Sequence, residues 1–133
     1  MNADEKILEA LILLIVDGDE RVRSYMRIAL SSVHFKITLD EVTTHEEALT
    51  ALRNKHYDCL FVGKPLPDGD GRNLLRELIA RENDVPVVMM TEARDEQLAI
   101  ELLQAGATDT LPKSTISSEV LERRLRDVMR LAL

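Results

Sequence analysis

Leu11-Ile-Leu-Leu-Ile-Val16 is apolar at every position. A strand with one wet face alternates apolar and polar residues, and a surface helix repeats them every three or four. An unbroken run this short fits a strand covered on both faces, as in a parallel sheet between two layers of helices. Cys59–Val62 and Val85–Met90 repeat the pattern. The need for cover on both faces constrains the fold more than any other feature of the chain.

The cover is present, and it comes in the right order. Val22, Tyr25, Met26, Ala29 and Val33 follow helical spacing after the first run, up to about Ser32. Ile37–Val42 reads as a second, more polar strand at a sheet edge. Thr44 to Glu47 has the capping-box pattern, and Ala48, Leu49 and Leu52 give the helix behind it a narrow apolar stripe. After Cys59–Val62 comes a loop shaped by two prolines and two glycines, then a helix marked by Leu74, Leu75, Leu78 and Ile79. Asp95 can cap a fourth helix that stops at Ala105-Gly106, Thr108–Leu111 is a short fifth strand, and Ser117 or Ser118 caps a last helix carrying Leu121, Leu125, Val128 and Ala132. Five strands alternating with five helices imply an α/β fold with a right-handed, doubly wound five-stranded parallel sheet. A chain of 133 residues suits one domain. Residues 1–10 read as an N-terminal extension, with a frayed helical turn over Glu5–Ala10, and residues 11–133 as the domain.

Charge and composition exclude several functions. The net charge is -7 and aromatics make up 3% of the residues, with no tryptophan. Direct nucleic-acid binding wants a basic groove with stacking platforms, and this chain offers neither. The longest apolar run, Ala10 to Val16, is too short to span a bilayer, and Asp4, Glu5 and Glu9 lie where a signal peptide would be positive. The single Cys59 sits inside an apolar run and reads as a reduced core thiol, which gives a cytoplasmic expectation. His34, His45 and His56 lack metal-ligand spacing.

Sites in doubly wound sheets lie at the C-terminal strand ends. The tips here are Asp17–Glu20, Gly63–Pro65, Thr91–Glu92 and Pro112–Lys113. Asp17 after the first strand, Tyr57-Asp58 before the third, Leu66-Pro-Asp-Gly-Asp-Gly71 after it, Thr91 after the fourth, and Ala105-Gly-Ala-Thr-Asp109 leading to Lys113 together resemble bacterial response-regulator receiver domains, over roughly residues 11–131. The resemblance implies a flavodoxin-like (βα)5 fold with strand order 2-1-3-4-5, and a place in two-component phosphorelay signalling. It also implies an aspartate at the end of the third strand that accepts a phosphoryl group from a histidine kinase. Two acids after the first strand hold magnesium, a Thr or Ser and a Lys contact the phosphoryl oxygens, and an aromatic residue on the fifth strand reports the state.

Position by position, the departures fall in the site. Asp17 matches the first acid, but Gly18 stands at the second, with Asp19 one residue too late; Gly63 stands at the phosphoacceptor position; Thr91 and Lys113 match; Thr110 stands at the switch position. Glycine has no oxygen nucleophile, so no acyl phosphate can form on Gly63. Magnesium demands near-octahedral oxygen ligands, so Asp17 alone is expected to bind it weakly or not at all. No other cofactor is expected. Lys113, with Lys64, would then face only Asp17 and Asp19, and a direct ammonium–carboxylate pair could replace the metal.

Plainer roles exist for the same residues. Asp17 and Asp19 can cap the first helix, Thr91 can be a satisfied turn hydroxyl, and Asp68 and Asp70 suit turn and cap roles. On the fourth helix Leu98, Leu102 and Ala105 form an inward stripe, leaving Ile100 and Leu103 to solvent. The resemblance places Ala99, Leu103 and Thr110 on a partner-binding face, and Arg123, Arg126 and Arg130 add a basic row on the last helix or only a solvated one. The expectation is a non-enzymatic pseudo-receiver: a phosphorylation-independent interaction module whose partner is a histidine kinase or output domain, in the same chain or another, or a second copy meeting it through the fourth and fifth helices. Two other readings stay open. One is a true receiver using Asp17, Asp19 or Asp68. The other is a small-molecule sensor with a cavity beside Gly63.

Overall fold

The computed structural model describes residues 10–132. The main strands are β1 (Ala10–Val16), β2 (Lys36–Val42), β3 (Cys59–Gly63), β6 (Val87–Thr91) and β7 (Asp109–Pro112); the helices are α1 (Glu20–Leu30), α2 (His45–Asn54), α3 (Gly71–Ala80), α4 (Glu96–Gln104) and α5 (Ser118–Ala132). All main pairings are parallel, in the order β2-β1-β3-β6-β7. Counting the five sheet strands alone, this is the 2-1-3-4-5 order of the flavodoxin-like fold. Two short strands, β4 (Pro65–Leu66) and β5 (Gly69–Asp70), form an antiparallel hairpin between β3 and α3.

The pleat explains why the strands are apolar throughout. Leu11, Leu13 and Ile15 of β1, Cys59 and Phe61 of β3, and Val88 and Met90 of β6 enter one core, with Val22 and Met26 of α1 and Leu121 and Leu125 of α5. Their neighbours Leu14, Val16, Leu60, Val62, Val87 and Met89 enter the other, against Ala48 of α2, Leu74 and Leu78 of α3 and Leu102 of α4. Phe61 is fully buried, and each such side chain contributes about 1.5–3 kcal/mol on burial. Burial also pushes the Cys59 thiol well above its ordinary value, consistent with a packing role.

Local signals set the helix starts. Thr44 Oγ1 accepts from Glu47 N–H (3.1 Å) while Glu47 Oε1 accepts from Thr44 N–H (3.1 Å), a complete capping box. Asp19, Asp70 and Asp95 cap α1, α3 and α4. Gly106, at φ +114°, provides the positive-φ residue after α4.

Several expectations fail. Ala10 belongs to β1, while the rest of the expected N-terminal extension lies outside the described residues. The fourth sheet strand starts at Val87, because Pro86 lacks an N–H for the ladder. Tyr25 points outward at 59% exposure, and so does Ile79 at 47%. Helical spacing admits both to the apolar stripe, but the adjacent Met26 and Leu78 already fill the core places. The side chain of Ala132 lies outside the described residues.

Candidate functional site

The C-terminal ends of β1, β3 and β6 and the 3-10 turn Lys113–Thr115 after β7 converge on one small volume. Asp17 is its centre, at 1% exposure. Its N–H donates to Val42 O (3.1 Å), its Oδ1 accepts from Asp19 N–H (2.9 Å), and its Oδ2 lies 3.0 Å from Lys113 Nζ. That ammonium approaches off the hydrogen-bonding direction, since Oδ2 makes no directed hydrogen bond among the described residues. The attraction is therefore mainly Coulombic, about 5–6 kcal/mol at 3.0 Å and an effective dielectric of 20, before desolvation of both ions is subtracted. Lys113 also donates to Glu92 Oε1 at 2.9 Å. Burial works to lower the Lys113 pKa, but the hydrogen bond to Glu92 and the charges of Asp17 and Glu92 outweigh it and hold the ammonium above its ordinary value.

The glycines explain how the pair fits. A Cβ on Gly63 would fall on Asp17 Oδ2 and within 3.0 Å of its Cγ. The Asp17 carboxylate thus occupies the space that a side chain at 63 would need. A Cβ on Gly18 would meet Pro67 Cγ at 2.6 Å, so the tip of the β4–β5 hairpin is seated there. Gly71 in turn lies against the Gly63 carbonyl, with no room for a Cβ, and donates its N–H to Lys64 O. The cavity expected beside Gly63 is therefore filled, by Asp17 on one side and backbone on the other.

The other candidate residues take separate places. Lys64 turns to Asp70 (3.5 Å) and away from Asp17. Asp19 faces Arg21, accepting its N–H at 2.9 Å, and has left the pocket for the helix start. Thr91 is buried, and its hydroxyl donates to Ala93 O (3.1 Å). Asp68 accepts from His45 N–H (3.0 Å) and Glu46 N–H (3.3 Å), so it caps α2 from a different loop. These bonds, led by His45 N–H, hold the Asp68 carboxyl below its ordinary value. Glu92 lies at one of the expected strand tips, but its pairing with Lys113 follows from the register of β6 and β7, which no motif reveals.

The donor set does not fit a magnesium ion. Asp17 supplies one carboxylate, already against Lys113, and the described residues hold no group of three or more His, Cys, Asp or Glu placed for a metal.

On the α4–α5 side Ile100 and Leu103 are exposed, at 48% and 45%, and Ala99 and Thr110 are half-buried. The basic row is split. Arg123 and Arg130 are exposed, whereas Arg126 leans the other way, stacking over Phe35 (4.8 Å) beside Glu122 (3.7 Å). Arg124, outside the expected row, is the arginine that faces β7, with Nε 3.2 Å from Asp109 and 3.3 Å from Thr110 O.

A family model for the "Response regulator receiver domain" matches residues 13–126. The chain is 35% identical over 117 residues to "Probable transcriptional regulatory protein y4xI" of Sinorhizobium fredii, covering 88% of this chain and 50% of that protein. It is 31% identical over 111 residues to "Response regulator MprA" of a Mycobacterium species, covering 84% of this chain and 47% of that one. The chain thus spans about half the length of the curated relatives it matches. Among solved structures, a two-component response regulator from Clostridium difficile aligns with TM-score 0.77 at 28% identity, covering 90% of this chain and 96% of that one. A Francisella response regulator receiver domain aligns in fold with TM-score 0.79 at 22% identity, covering 92% and 99%.

Proposed function

Because this chain belongs to the response regulator receiver domain family, we propose that it is a pseudo-receiver: a two-component signalling module that acts through protein contacts without being phosphorylated. The observation that carries the reading is the Asp17 carboxylate lying in the space beside Gly63, held 3.0 Å from Lys113. Phosphoryl transfer to an aspartate needs an oxygen nucleophile at the strand end and a metal to neutralise developing charge. Here the strand ends in glycine, and the acid in place beside it, Asp17, is paired to a lysine. In this reading Asp17, Gly18, Gly63, Thr91, Lys113 and Thr110 form a retired pocket, magnesium binding is weak or absent, and the domain catalyses nothing.

The displaced-acceptor alternative fits the geometry less well. Asp19 and Asp68 are both engaged as helix caps, and Asp17 is buried in the ion pair. The remaining output is a surface. Ala99, Ile100 and Leu103 of α4 with Arg123 and Arg130 of α5 form its proposed partner face. Its partner is a histidine kinase, an output domain or a second copy, in a cytoplasmic setting.

The test is intact-mass measurement after incubation with acetyl phosphate and magnesium. The expected result is no added mass. A hydroxylamine-labile adduct on Asp17, Asp19 or Asp68 would overturn the proposal.

A further inference from the structure

The space beside Gly63 is closed, but a hollow is open nearby, between the start of α4 and α5. It has a volume of about 440 Å³, and Thr91, Thr110 and Pro112 contribute to its lining from the strand ends. That volume lies within the range of small-molecule sites, about 300–1,000 Å³. Ala99 and Val120 supply apolar surface from the two helices.

The polar groups in the lining are unevenly satisfied. Thr91 and Thr115 donate their hydroxyl protons to Ala93 O and Pro112 O. Thr110 Oγ1 makes no hydrogen bond among the described residues, although the residue is half-buried. Arg124 donates through Nε to Thr110 O and pairs with Asp109, while neither of its Nη groups makes a directed hydrogen bond among the described residues. Arg94 and Arg123 are exposed at the hollow and pair with no carboxylate among the described residues. Arg53, Arg76 and Arg130 also lack one among the described residues, so what sets Arg94 and Arg123 apart is that both line one hollow.

The charges facing the hollow are three guanidinium groups, from Arg94, Arg123 and Arg124, against the carboxylates of Asp95 and Glu96. Asp95 is already accepting from Leu98 N–H at 3.0 Å. Arg124 is itself paired to Asp109 at 3.2 Å, so the hollow carries no excess charge; its two guanidinium groups without a carboxylate partner among the described residues are those of Arg94 and Arg123. A guanidinium fork with free Nη groups and a free hydroxyl donor suits a carboxylate or phosphate oxygen pair. The two acids on α4 disfavour a polyanion.

We propose that this hollow binds a small amphipathic anion, with an apolar body against Ala99 and Val120 and a single carboxylate or phosphate group held by Arg94 and Arg123. The site goes beyond the pseudo-receiver reading and does not depend on it. A ligand there would touch both α4 and α5, and so bear on the surface proposed for partners.

The test is an amide chemical-shift titration of the intact chain with phenylacetate, with phenyl phosphate and with neutral benzyl alcohol. Saturable shifts at Thr110, Val120 and Arg123 are expected with an anion and not with the alcohol. The stronger of the two anions identifies the head group. An R94S/R123S variant is expected to weaken binding by about tenfold or more, equivalent to about 1.4 kcal/mol, and Thr110→Tyr, which fills the hollow, to abolish it. Absence of saturation at millimolar anion would overturn the site, as would equal binding by the arginine variant. The acetyl phosphate experiment is read out separately by mass, so either proposal can fail without the other.

Discussion

Replacing Lys113 by Met keeps most of the side-chain stem and removes the ammonium. Asp17 then remains buried, with a side chain 2% exposed, and its Oδ2 faces no counter-charge. Breaking a buried pair in this way costs about 3–5 kcal/mol, a large part of the roughly 5–15 kcal/mol that holds a domain together. The second partner, Glu92, changes this little. It is 69% exposed, and exposed pairs contribute about 0–1 kcal/mol. Asp17→Asn alone is milder, since Lys113 keeps Glu92 and can reach water. The double variant D17N/K113M has no buried charge left unpaired, so the two losses should not add, and a coupling of about 2 kcal/mol or more is expected. Urea unfolding of the four proteins measures it, with m-values checked for constancy. A coupling under about 0.5 kcal/mol would refute the claim that the pair organises the pocket. The pH dependence follows from the sign of the Lys113 shift. Its folded pKa is raised, so its contribution is complete below the unfolded-lysine value, about 10.4, and is lost as pH climbs through the folded value. The wild-type advantage over Lys113→Met should therefore stay flat through neutral pH and shrink only in alkali.

Gly63→Asp is expected to destabilise by about 2–4 kcal/mol, because the new side chain displaces the Asp17 carboxylate and adds a like charge. It should still gain no mass from acetyl phosphate with magnesium, and a stable adduct would show that the pocket is less closed than described. Asp68→Ala should cost about 1 kcal/mol through loss of the α2 cap. The Asp68 pKa is lowered, so its stabilisation is present above the unfolded value near 3.9 and fades as pH falls; acid titrations of the two proteins should converge at low pH. Tyr57 donates to Asp40 at 2.6 Å, and burial foremost, then Asp40, pushes the phenol up to about 12. In a Tyr25→Phe protein, ultraviolet titration of the remaining tyrosine should give a midpoint near that value, and a midpoint at the ordinary phenol value would contradict the bond.

The fold was readable because burial on both faces leaves no freedom of composition. Leu11–Val16 and Cys59–Val62 had to be central strands, and they are. Capping chemistry was equally local, as at Thr44 and Glu47. What the sequence could not show were contacts made across loops. Asp68 suits a turn or cap role, but the helix it caps is one whose first residue is 23 positions earlier. Gly63 looked like a vacancy, because nothing local says that Asp17 will lean into it or that Pro67 will close over Gly18. Tyr25 and Arg126 have suitable spacing for the faces assigned to them. A rotation of one helical position, decided by packing of Met26 and Phe35, sends them elsewhere.

The sheet that separates the two cores also separates their energetics. Leu60, Phe61 and Val62 are consecutive, yet Phe61 shares a cluster with Met26 and Leu125, while Leu60 and Val62 share one with Leu74 and Leu102. Residues without common neighbours tend to act additively, and residues in one packed cluster do not. Substitutions at Phe61 and Leu60 should therefore behave almost as if they were in different proteins, whereas Phe61 and Met26, far apart in the chain, should behave as one site. The β-layer is in this sense an insulator. A repacking event on the α1–α5 side can reach the α2–α4 side only by moving backbone, or by passing around the strand ends where Asp17 and Lys113 meet.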